Sequence, residues 1–177
     1  MIARPAAAAA EDRSAVDALV ASLFQEEARS LVRLARFFVD DREAAEDLVQ
    51  EAFIRLARSA DRIRERDRAA AYLRSIVLNL ARDHNRRGLV SLRHRPPADP
   101  APASIEEEVV VRAEQQQVIQ ALRELPRRQR DCLVLRYYLE LPVAGIAETL
   151  GLSANSVKTH LQRGLRALQV QLEVTAE

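Results

Sequence analysis

Apolar residues return every three to four positions through most of this 177-residue chain, and no long run rich in Val, Ile or Thr alternates apolar with polar. A helix needs the first pattern and a strand the second. Only four glycines occur, so strands and their turns have little to be built from. The expected fold class is all-α. The periodicity lapses once, in LVSLRHRPPADPAPASIEEEVV between Leu89 and Val111, which holds Pro96, Pro97, Pro100 and Pro102. Proline-rich sequence without a period makes an extended, partly stiff tether. The chain therefore reads as two small helical domains joined by a flexible linker. A disordered N-terminus covers 1–13, the first domain 14–88, the linker 89–111 and the second domain 112–172.

In the first domain Ser14 can cap a helix, with Asp17 three residues on, and amphipathic sequence continues through LVRLARFFV until Asp40 and Asp41 break it. A second helix is expected from Arg42 to Ser59. A third, AAAYLRSIVLNLARDHNRR, is closed by Gly88 at the C′ position. Winding AEDLVQEAFIRLAR at about 100° per residue gathers Ala45, Leu48, Val49, Ala52, Phe53, Leu56 and Ala57 on one face. The opposite face carries Asp47, Gln50, Glu51 and Arg55, with Ile54 in their midst. An isoleucine inside a polar rim is the composition of a small binding hot spot, although single exposed apolar residues also occur on monomers without a partner. On the third helix Ser75, Asn79, Arg82 and Arg86 share a stripe, with Arg87 beside it. That stripe suits nucleic acid, and equally suits a solvated basic end favoured by the helix dipole.

Composition narrows the function. Charged residues make up 30% of the chain yet leave a net charge of only +1, so any nucleic-acid surface must come from local clusters of arginine. Cys132 lies in the apolar run DCLVLRYY, where a small buried thiol is expected. His84, His94 and His160 are far apart and no His or Cys pair has metal spacing. No Gly-rich phosphate loop, paired buried carboxylates or nucleophile-base motif is visible, so neither an enzyme nor a cofactor or metal site is expected. The opening MIARPAAAAAED lacks the apolar core of a signal peptide, and no run of about eighteen apolar residues could span a bilayer. No membrane insertion and a cytoplasmic location are the expectation.

The second domain carries the more specific pattern. In VAGIAETLGLSANSVKTHLQRGLRAL, the spacing of Ala147, Gly151 and Val157 is that of a helix-turn-helix. Ala147 is small where the helices cross, Gly151 tolerates the positive φ of the turn, and Val157 fills the angle between helices. Ser153 can accept from the N–H groups that open the second helix. Val157, Leu161, Gly164, Leu165 and Leu168 are expected to face inward. Asn155, Thr159, Gln162 and Arg166 are left to the outer side, with Lys158 and Arg163 flanking as phosphate anchors. A helical hairpin with a merely solvated polar face is the plainer alternative.

The flanking sequence extends the pattern beyond a lone motif. The block LRELPRRQRDCLVLRYYLELPVAGIAETLGLSANSVKTHLQRGLRAL, from Leu122 to Leu168, resembles region 4 of sigma-70 family factors. AEDLVQEAFIRL followed by AAAYLRSIVLNLARDHNRR resembles their region 2. Two such blocks on a short linker, covering about residues 16 to 170, resemble the extracytoplasmic-function group. The resemblance implies a sigma factor whose region 2 binds the bacterial RNA polymerase core and melts the minus-10 promoter element, while region 4 reads the minus-35 element. The helix from Asp47 to Arg58 would dock on the coiled coil of the largest subunit, and the flap of the second subunit would be a further contact. Core-binding residues would be Asp47, Gln50, Glu51, Ile54 and Arg55. Ser75, Asn79, Arg82, Arg86 and Arg87, with the loop around Ser59 to Asp67, would meet the minus-10 element. Ser153, Asn155, Ser156, Lys158, Thr159, Gln162 and Arg163 would meet the minus-35 element. Promoter DNA and polymerase are thus the implied partners, and an anti-sigma factor is left open as a third. The linker, with Glu106, Glu107 and Glu108, would pass through the polymerase.

Three positions depart from the family pattern. Leu78 stands where a basic residue is frequent, Tyr72 where Trp is common, and Gly145 where Glu usually precedes Ile-Ala. The competing reading is a conventional regulator of LuxR type, since NSVKTHL occurs there too. Such proteins carry a receiver or ligand domain, whereas the N-terminal half here shows no alternation of strands and helices.

Overall fold

The computed structural model describes residues 6–39, 41–59, 65–91 and 116–175, and among these no strand forms. Helix α1 spans Ala6–Arg36, α2 Arg42–Ser59 and α3 Arg66–Ser91. Two expected boundaries are corrected. Ser14 caps nothing, because α1 already begins at Ala6, within a run of five alanines, the best helix former. The expected disordered stretch 1–13 is accordingly helical from Ala6 on, and 1–5 lie outside the described residues. Nor does Gly88 close α3, which continues to Ser91; a single helical glycine costs only about 1 kcal/mol against alanine, too little to force an end. By contrast, α2 has the expected bounds. Its start is fixed by Asp41, whose two carboxylate oxygens accept from Glu43 N–H at 3.2 Å and Ala44 N–H at 3.3 Å.

These three helices pack pairwise around Leu31, Leu34 and Phe38 from the α1 side, Val49, Phe53 and Leu56 from α2, and Leu73, Val77 and Leu78 from α3. Each such side chain contributes about 1.5–3 kcal/mol when fully buried. Ala57, expected on the buried face of α2, is exposed at its edge.

The linker from residue 92 onward, with its prolines, its glutamates and His94, lies outside the described residues, as does the start of the second domain up to 115. Helix α4 covers 116–124. Pro126, which cannot donate within a helix, stands ahead of α5 at Arg127–Leu133. This helix widens into a π turn at Val134–Tyr138, where Leu139 N–H reaches back to the Val134 carbonyl at 3.3 Å. Glu140 then takes a positive φ of 53°, which ends the segment. Helices α6 (Val143–Leu150) and α7 (Ala154–Thr175) complete the domain, with α7 packed on α5 and α6.

The two domains are not merely tethered. Helix α3 packs against α6, and buried residues of both halves join one apolar cluster. Periodicity marks which face of a helix is buried without saying which element buries it, so this junction is invisible in the pattern.

Candidate functional site

Three surfaces carry the residues singled out by the sequence. The first is the outer face of α2. Ile54 is 47% exposed there, with Asp47, Gln50 and Arg55 also exposed and Glu51 partly so. Glu51 and Arg55 pair at 2.7 Å one turn apart, which holds part of the polar rim in place. On α1, Phe24 is exposed as well and packs edge-on against Phe53, centroids 5.1 Å apart.

The second surface is α3. Ser75 donates to the Tyr72 carbonyl at 2.8 Å and Asn79 is exposed. Arg82 is different: its side chain is only 14% exposed and its guanidinium is shared between Asn79 Oδ1 at 2.6 Å and Asp131 Oδ2 of α5 at 2.5 Å. Burial pulls the Arg82 guanidinium below its usual value, against the opposing pull of Asp131. The helix backbone carries Arg86 and Arg87, whose side chains lie outside the described residues, as do loop residues 60–64. Leu78 is fully buried, so the departure at that position belongs to the core and not to a reading face; Tyr72 is 38% exposed.

The third surface is the helix-turn-helix of α6 and α7. Gly151 sits at φ 62°, ψ 42°, and donates its N–H to the end of α6. Any side chain there is strained by the left-handed backbone. Ser153 Oγ accepts from Ser156 N–H at 3.1 Å and lies 2.9 Å from Ser156 Oγ, so the expected cap forms. Val157 is fully buried. Gly164 is buried too, and a Cβ there would lie 3.0 Å from Leu133 Cδ1 and 3.2 Å from Gln129 Cβ. That close approach seats α7 on α5. Leu165, expected inward, is 41% exposed, because the contact with α5 centres on Gly164 and leaves the next position turned away.

Outward from this scaffold stand Asn155, Lys158, Thr159, Gln162, Arg163 and Arg166, all exposed, with Ser156 half-buried beside the cap. Thr159 Oγ1 turns back to the Asn155 carbonyl at 3.0 Å. The one acid of α7 is Glu173 near its far end, so the first four turns present donors and positive charge with no carboxylate. Gly145, where an acid is usual, has room for a side chain: the nearest atom to a built Cβ is Pro142 Cδ at 3.6 Å. Its lost side chain therefore reflects no steric demand of the fold.

Sequence reasoning missed the residues at the domain junction. Asp131 is fully buried, with Arg127 Nε at 3.9 Å in addition to Arg82. Burial pushes the Asp131 carboxyl above the usual carboxylate range, while Arg82, Arg130 and Arg127 pull it the other way. Arg130 lies over the Phe38 ring at 4.9 Å, Tyr138 meets Phe37 at 4.9 Å, and Arg123 donates to the Phe37 and Arg36 carbonyls at 3.3 Å each. The available signal was an aspartate at the head of an apolar run, with Cys132 next to it. Among the described residues no cluster of His, Cys, Asp or Glu could hold a metal ion, and no helix is long and apolar enough to cross a membrane.

Comparison with known proteins gives this arrangement its class. Residues 23–88 match the model for sigma-70 region 2, and residues 115–168 match that for sigma-70 region 4. Together these matches span more than half of the chain, which belongs to the sigma-70 family of RNA polymerase sigma factors. Within that family it is of the extracytoplasmic-function group. It is 32% identical over 144 residues to the RNA polymerase sigma-E factor of Streptomyces avermitilis, covering 81% of this chain and 79% of that one. It is 29% identical to the ECF RNA polymerase sigma factor SigL of Mycobacterium tuberculosis, over 88% and 90% of the two chains. Among solved structures, CnrH in complex with the cytosolic domain of CnrY superposes with a TM-score of 0.68 at 23% identity, covering 92% of this chain and 97% of that one. RpoE of Bartonella quintana, in complex with the anti-sigma factor NepR, gives 0.65 at 19% identity, covering 86% and 96%. Both support the fold. The chain is thus a transcription initiation factor that directs the core polymerase to promoters, and a LuxR-type regulator is not favoured.

Proposed function

We propose that this sigma factor divides its work among the three surfaces. The outer face of α2 docks on the polymerase, with Ile54 as the apolar anchor and Asp47, Gln50, Glu51 and Arg55 as its rim. The α3 stripe of Ser75, Asn79 and Arg82, continued by Arg86 and Arg87, receives the unwound strand of the minus-10 element. Helix α7 enters the major groove of the minus-35 element from its N-terminal end, so Asn155, Ser156 and Thr159 are the candidate base readers. Lys158, Gln162 and Arg163 anchor the backbone, and the Ser153 cap orients the first turn. All catalysis belongs to the polymerase; the protein works in the cytoplasm, where an anti-sigma factor is a third partner, in keeping with the complex that RpoE forms with NepR.

The observation that carries this reading is the acid-free outer face over the first four turns of α7, mounted on a turn with Gly151 in the left-handed region. A binding selection on randomised minus-35 sequences, run with the polymerase holoenzyme, tests it. Asn155→Ala is expected to shift preference at one base pair by about 1–3 kcal/mol, and Lys158→Ala to weaken all sequences alike. Identical preferred sequences for wild type and Asn155→Ala would remove Asn155 as a reader.

A further inference from the structure

A further row of arginines lies on α1, which neither promoter surface uses. Arg29, Arg33 and Arg36 are all exposed, and their spacing of four and three residues keeps them on one side of the helix. At about 1.5 Å per residue the row is roughly 10 Å long. The acids of the same stretch of α1, Glu26 and Glu27, are committed to Arg66 and Arg74 of α3. Asp41, the next acid along the described chain, accepts from Glu43 and Ala44 N–H at the start of α2. In a chain whose net charge is only +1, the fold thus leaves a local excess of positive charge here. A helix dipole favours cations in the last turn, which accounts for Arg33 and Arg36 but not for Arg29, about two turns from the end.

At the end of this row the second domain adds another cation and two rings. Arg123 donates to the Phe37 and Arg36 carbonyls at 3.3 Å each, and the Tyr138 ring packs on Phe37 at 4.9 Å. Burial raises the Tyr138 hydroxyl above its usual value while Arg33 pulls it the other way, so the Arg33 guanidinium lies near that ring. Next along the chain, Tyr137 is 61% exposed, too open to contribute much to the core. It is displayed by the π turn, just ahead of Glu140 in the left-handed region, and both kinds of backbone irregularity concentrate at functional sites. Guanidinium groups for phosphates beside an open ring for a base are the composition of a single-strand site. An acidic peptide would engage the arginines and leave the ring unused. We propose that Arg29, Arg33 and Arg36 bind successive phosphates of a single strand of nucleic acid while Tyr137 stacks on one of its bases. This site is separate from the polymerase face of α2 and from both promoter-reading surfaces, and it does not rest on their assignment.

The test titrates the full chain, without polymerase, against two short labelled probes, oligo(dT) and oligo(U), at several salt concentrations. Neutralising the row with Arg29→Gln, Arg33→Gln and Arg36→Gln together should weaken binding about tenfold or more. It should also lower the slope of log affinity against log salt by about 2, since each phosphate contact to a single strand contributes about 0.7. Tyr137→Ala should cost about tenfold and leave the slope unchanged, because stacking releases no counterions. All four positions are exposed, so an unchanged melting temperature separates lost binding from lost fold. A strand carrying 4-thiouracil, photocrosslinked to wild type, needs no variant and should attach to Tyr137 or to α1 between Arg29 and Arg36. Tighter binding of oligo(U) would show that a 2′-hydroxyl is read, and equal binding of the probes a site for phosphate and ring alone; both support it. No binding of either probe by wild type, crosslinks confined to α3 or α7, or a triple variant with unchanged affinity and slope would overturn the proposal. Unchanged affinity for Tyr137→Ala would overturn the stacking and with it the assignment to a single strand.

Discussion

Ile54 and Cys132 show how one residue can be judged from its surroundings. Ile54 is a β-branched apolar side chain held in solvent by a helix whose other face is fully used by the core. Ile54→Glu is expected to leave the melting temperature nearly unchanged, since nothing packed is lost, and to weaken retention on core polymerase by about 2 kcal/mol if it anchors the interface. Equal retention by both proteins in a pull-down with purified core would count against docking there. Cys132 is the reverse case, and its buried thiol is pushed up to about 11, chiefly by desolvation and further by the neighbouring Asp131. A group raised in the folded state contributes stability below its ordinary pKa and loses it as pH rises through the raised value. Alkylation by iodoacetamide in native protein at pH 8 should therefore be far slower than in denaturant, and stability should decline between pH 9 and about 11. Fast native labelling would show that the α5 core opens readily.

At the scale of elements, local chemistry decided what could be read in advance. The bounds of α2 were legible because Asp41 supplies a cap and its apolar face is uninterrupted. The turn of the helix-turn-helix was legible because Gly151, Ser153 and Val157 each meet a separate local demand. The ends of α1 and α3 were not, since Ser14 and Gly88 match capping patterns that a strong neighbouring helix overrides. Leu165 was misplaced because periodicity marks a stripe and not its width. Gly164 yields a sharp prediction. A valine there would drive branches into Leu133 and Gln129, separating α5 from α7. Gly164→Val should destabilise the protein by about 1–3 kcal/mol, and reduce minus-35 binding by misplacing the whole helix without changing the preferred sequence. A changed sequence preference in a binding selection would instead mean that residue 164 acts on the bases.

For the whole molecule, the sequence displays two blocks and a tether, but the structure adds that the blocks meet. The meeting is long-range, and it combines a shared apolar cluster with a polar pair: Arg82 and Asp131 are 49 positions apart, and neither carries a periodic signature. The three proposed surfaces therefore do not stand equally ready, since α2 and α7 are open while α3 lies at the junction. Function at this scale also needs all three at once, because docking, strand capture and duplex reading must fall on one promoter. The most direct measurement is transcription from fragmented genomic DNA by purified bacterial core polymerase, with and without this protein, mapping the 5′ ends of the transcripts. Added protein should create a small set of discrete start sites, sharing one sequence upstream at minus-35 and another at minus-10, all lost with Ile54→Glu. No new start sites, or start sites that share no upstream sequence, would contradict a promoter-selecting initiation factor.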